Sequence, residues 1–224
     1  MDIQLKPGKV AQFLLILSVG LILAGNAGQL VETRQGIFWL FSGDSNQELA
    51  ILRFYSAVTL LLCSGLLFII AVAKKGENNN GFLYWLVLAI IFIFLAITKE
   101  TALHESLAAP IRSALNMSKI QFYAWAYGIV VVIFPALYLK FLLSLPRRTM
   151  LLLILGGTVF ILGAFGLDLI AVYLGQLIDH RTVAYICLAA LEDTLEAGGI
   201  IIIVYELLSY MGSELKWIGV RIAE

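Results

Sequence analysis

The chain has 224 residues, of which 61% are hydrophobic and 13% charged, and its fifteen Lys and Arg balance fifteen Asp and Glu. Soluble domains carry about 25% charged residues, so this composition excludes an ordinary soluble domain, and the absence of a basic stripe excludes a nucleic-acid binder. Long, continuously apolar runs, rather than alternating ones, point to an all-α, polytopic transmembrane helical bundle and not to a β-barrel.

Six spans are expected in one membrane domain covering residues 1–224, and they lie at Val10–Val31, Ile51–Ala73, Phe82–Thr98, Ile120–Leu143, Met150–Leu174 and Val183–Tyr210. The first follows Lys6 and Lys9 and resembles a signal sequence, but it is long enough to remain as an uncleaved helix. After it, Phe38, Trp39 and Phe41 suit a segment lying at headgroup depth. Ser45 with Glu48 fits a capping box opening the second span. Cys63 and Cys187, in separate apolar runs, read as small buried hydrophobes rather than a disulfide.

KKGENNNG (Lys74–Gly81) is a polar connection to the third span. Beyond that span, Leu103, Leu107, Ala108, Ile111 and Leu115 share one apolar face, predicting an amphipathic continuation bent or broken near Pro110. Pro135 predicts a kink in the fourth span, and LPRR (Leu145–Arg148) a tight break after it. Trp85, Tyr123, Trp125 and Tyr127 fit aromatic belts. Gly156, Gly157, Gly163 and Gly166 give the fifth span a small-residue face, and Gly198 and Gly199 do the same for the sixth.

Nine of the loop Lys and Arg residues, including the pairs Lys74–Lys75 and Arg147–Arg148, fall on one side against six on the other, which predicts N-in/C-in. Glu206 and Tyr205, near the inner end of the sixth span, are expected to snorkel to the interface.

LEDTLEAGG (Leu191–Gly199) is the informative stretch, because it sets Glu192, Asp193 and Glu196 inside the sixth span. One charge at the bilayer centre costs roughly 2.5–3.5 kcal/mol on translocon-based scales, so this group needs protons, basic partners or a cation. Glu192 and Glu196 share a face at i,i+4, as do Glu100 and His104 at the end of the third span. Asp168 lies about 9 Å before the end of the fifth. A register with the sixth helix entering near Leu188 puts Glu196 about 12 Å deep, level with Asp168. The expected site is therefore Glu100, His104, Asp168, Glu192 and Glu196, at the outer leaflet.

Mixed carboxylate and imidazole donors suit a divalent metal such as Mn, Fe or Zn. The expected role is binding or transport of a divalent metal or protons. The alternatives are a metal-dependent membrane enzyme acting on a lipid-like substrate, and a non-catalytic subunit whose acids form ion pairs, Glu192 or Asp193 with Arg53 or Lys99. The expected partners are the lipid bilayer and a cation. No nucleotide, zinc-protease or nucleophile-elbow motif is present.

Overall fold

A computed structural model of the chain describes residues 6–30, 50–76, 81–101, 103–178 and 182–214. Among these residues the chain is entirely helical: α1 (Pro7–Leu30), α2 (Ala50–Gly76), α3 (Phe82–Thr101), α4 (Leu103–Ala114), α5 (Lys119–Ser144), α6 (Arg147–Ile161), a π-helical segment (Leu162–Leu167), α7 (Asp168–Leu174) and α8 (Val183–Glu214). The proposed headgroup-depth aromatics and the Ser45 capping box lie outside the described residues.

Among the described residues five stretches are long and apolar enough to cross a membrane: Pro7–Gly25, Ile51–Gly76, Phe82–Thr101, Lys119–Ser144 and Arg147–Leu174. They are consistent with an integral membrane protein. The sixth expected span is a continuous 32-residue helix, α8, but it is not one of these five. It differs from them in burial. From Glu196 to Met211 most of its side chains face protein, with Val204 and Leu207 fully enclosed. Around it pack α1, α2 and α6, and α2 pairs most extensively with α3. Ser64 Oγ donates to the Ala89 carbonyl at 2.9 Å across that α2–α3 pair. By contrast, Ile129 to Ile133 and Leu137 of α5 are exposed, as lipid-facing residues would be.

Local chemistry accounts for the helix ends. The break at Leu145–Arg148 falls where expected, with Pro146 as N-cap of α6 and the Leu145 amide donating back to the Leu142 carbonyl. Ser118 and Gln121 form a reciprocal capping box opening α5. Asn116, at φ 51°, takes the left-handed conformation that reverses the chain after α4. Pro110 does not break the segment after the third span: α4 runs through it.

Tyr55, near the start of α2, donates its hydroxyl to the Leu14 carbonyl at 2.8 Å and also meets Ser18, both in the first half of α1. This contact joins the first halves of α1 and α2. Trp85 is 1% exposed and belongs to the core rather than to an aromatic belt. Both cysteines are free, but only Cys63 is buried.

Candidate functional site

The antiparallel contact between α6 and α8 positions the site. Contacts run in reverse order along the two chains. Arg148 donates to Tyr205 Oη at 2.8 Å, Gly156 meets Gly199 and Ile203, and Gly163 meets Glu192 and Glu196. Glycine is required at the tightest points. A Cβ on Gly163 would lie 2.8 Å from the Glu196 amide nitrogen and 3.0 Å from the Glu192 carbonyl oxygen. The small-residue stripe is narrower than expected, since Gly157 and Gly198 face open space.

At this level the fifth span departs from a regular α-helix. Leu162–Leu167 is π-helical, and Asp168 follows it directly. A π-helical turn holds extra backbone, so it changes the angular position of everything after it relative to a continuous α-helix. Asp168 here accepts a 2.8 Å hydrogen bond from Tyr127 Oη of α5, whose ring stacks on Phe165 of the π segment at 4.4 Å.

Opposite stands Glu196, whose side chain is 3% exposed and whose Oε2 lies 2.7 Å from Lys99 Nζ, at the end of α3. Glu192, one turn away on α8, is in electrostatic reach of Glu196, Asp168, Lys99 and Asp193. Tyr185 is in reach of Glu192 and Asp168.

The structure thus brings together three of the five expected residues: Asp168, Glu192 and Glu196. Glu100 is exposed and is not among the groups acting on Glu192. The side chain of His104 lies outside the described residues. Among the described residues no three or more His, Cys, Asp or Glu side chains are grouped as metal ligands. Lys99 forms an ion pair with Glu196, a carboxylate that the ion-pair alternative had not named. Arg53, the other basic partner considered, keeps a buried Nε with no hydrogen-bond partner among the described residues.

Two participants were assigned other roles from the sequence: Tyr127, read as part of an aromatic belt, bonds Asp168, and Lys99, considered as a partner of Glu192 or Asp193, pairs with Glu196. Glu206 was expected to snorkel and does not: it is 1% exposed and lies in the bundle core.

Tyr127→Phe isolates the Asp168 hydrogen bond. A bond to a charged group is worth about 1.5–3 kcal/mol, and thermal unfolding in detergent should show a loss in that range. Unchanged stability would mean that Asp168 finds another donor.

Comparison with known proteins adds one match. A family model described as a domain of unknown function (DUF8692) covers residues 11–210. No curated protein and no solved structure matches the chain.

Proposed function

The chain belongs to that DUF8692 family, and on the geometry of its own residues we propose that it is a multi-pass membrane protein whose cluster of Lys99, Asp168, Glu192 and Glu196 binds and translocates a cation, the proton first among them. One observation carries this reading: Glu196 and Glu192 of α8 both reach Lys99, and Asp168 of α7 in turn reaches Glu192. Lys99 balances Glu196, and the charge on Glu192 and Asp168 remains in excess. Low-dielectric surroundings make such an excess expensive, so the cluster draws protons or another cation from solution.

Protons fit better than a divalent metal. The Lys99 ammonium already occupies the position on Glu196 that a metal would take, and a metal would have to displace it. The six-span arrangement, with α8 as the span that carries the site, belongs to the same proposal. So does an outer-leaflet position for the cluster, which the basic residues Lys74, Lys75, Arg147 and Arg148 at the opposite end of the bundle support.

The test is proton flux into liposomes containing the purified protein and an enclosed pH-sensitive dye. Wild type should exceed protein-free vesicles, and Glu192→Gln and Asp168→Asn should each reduce the flux at least tenfold. Flux equal in all three proteins, or absent from wild type, defeats the proposal. Stoichiometric Mn, Fe or Zn in chelator-free protein, lost on Glu192→Gln with Glu196→Gln, would transfer the site to a metal.

A further inference from the structure

At the other end of the bundle lies a cavity of about 400 Å³, within the roughly 300–1,000 Å³ typical of small-ligand sites. Its lining includes Lys74, Trp85, Phe141, Ser144, Tyr210 and Glu214. Three of these are aromatic and mutually braced. Trp85 meets Phe141 edge-on at 5.0 Å and Tyr210 at 5.3 Å. The bracing fixes the rings as walls of the cavity.

Charge and burial indicate what the ligand is. Glu206, Tyr210 and Glu214 follow one another at i,i+4,i+8, so they form one stripe of α8 with steps of about 6 Å. Glu214 lines the cavity, and Glu206 lies two turns deeper, 1% exposed, with Oε2 lacking a hydrogen-bond partner among the described residues. A buried carboxylate oxygen without a donor is costly unless a cation balances it. Aromatic faces beside carboxylates form the usual setting for an ammonium group. The wall already carries a tethered one: Lys74 Nζ stands 5.9 Å from the centre of the Tyr210 ring.

We propose that this cavity binds an organic ammonium ion, with Tyr210 receiving the cation, Glu214 balancing its charge at the cavity and Glu206 adding its field from one turn below Tyr210. Lys74 then competes with the ligand for the same aromatic face. The site is separate from the Lys99 cluster, since Glu196 and Glu206 are about 15 Å apart along α8 and an apolar run, Ala197–Val204, lies between them.

The test is calorimetric titration of the full-length protein in maltoside. The probes are tetramethylammonium chloride, sodium chloride at equal ionic strength, and a short-chain phosphatidylcholine. Tetramethylammonium should bind saturably and sodium should not. Tyr210→Leu and Glu214→Gln should each weaken binding at least tenfold, and Lys74→Gln should strengthen it severalfold. Binding of tetramethylammonium alone assigns a free amine, and binding of both organic probes assigns a lipid headgroup. No saturation by either organic probe, equal binding of sodium, or unchanged binding in Tyr210→Leu and Glu214→Gln overturns the proposal. Glu192→Gln should bind as wild type does, so failure at the Lys99 cluster leaves this result unaffected.

Discussion

Lys99→Met should lower the stability of the protein by about 3–5 kcal/mol, the usual cost of removing one partner from a buried ion pair. The loss arises from what is left behind. The Glu196 side chain is 3% exposed, and its 2.7 Å contact with Lys99 is replaced by a thioether that cannot balance charge. Glu196→Gln should cost less, because Lys99 is 20% exposed and its flexible stem can carry the ammonium toward the interface. Combining Lys99→Met with Glu196→Leu should recover most of the loss, since apolar replacement of a buried pair is often neutral. Chemical unfolding in detergent of wild type, both single variants and the double variant measures all three expectations. A Lys99→Met loss under about 1 kcal/mol would show the pair to behave as a surface contact. The double variant also separates two roles, because it should stay folded while its proton flux disappears.

The legible and illegible parts of this protein divide on physical grounds. Helix positions follow from apolar run length and from local punctuation, so Pro146 and the polar connection after Lys75 are visible in one dimension. The stretch around Glu192 is visible as well, because any carboxyl group in an apolar run demands an explanation. Which groups meet it depends on the rotation of each helix, and one irregular turn alters that. Leu162–Leu167 is π-helical, and this holds Asp168 against Tyr127. Neither the six-residue segment nor its consequence can be read from hydropathy, although the Gly163–Gly166 pair hints at a weak point in the helix. Glu100 and Lys99 are adjacent in sequence, and an ideal 100° step is enough to send one into the bundle and the other out. Glu206 misleads for a related reason. Its distance from the helix end suggested snorkelling, whereas Glu206 lies with Val204, Leu207 and Tyr210 in the part of α8 that neighbouring helices enclose.

Gly199→Ala and Gly198→Ala, one residue apart, should shift stability in opposite directions. A Cβ on Gly199 would stand 2.5 Å from the Phe160 nitrogen and 2.7 Å from the Gly156 carbonyl oxygen. Both are backbone atoms, so no side chain can turn aside, and α6 and α8 must separate to restore contacts of about 3.5–4.0 Å. Overpacking of this kind costs about 1–3 kcal/mol, and a bulkier Gly199→Val should prevent assembly of the bundle. Gly198 has nothing within 4 Å of its added carbon. There the substitution only improves helix propensity, which is worth about 0.5–1 kcal/mol in favour of alanine. The consequences extend to the site. Gly199 lies one turn from Glu196, and Gly163 touches the Glu192–Glu196 backbone, so widening this seam moves Glu196 away from Lys99. Gly199→Ala should therefore lose cation flux along with stability, whereas Gly198→Ala should keep both. Equal stabilities in thermal unfolding would mean that the two helices are not held by this contact, and the alignment of Asp168 with Glu192 would then need another origin.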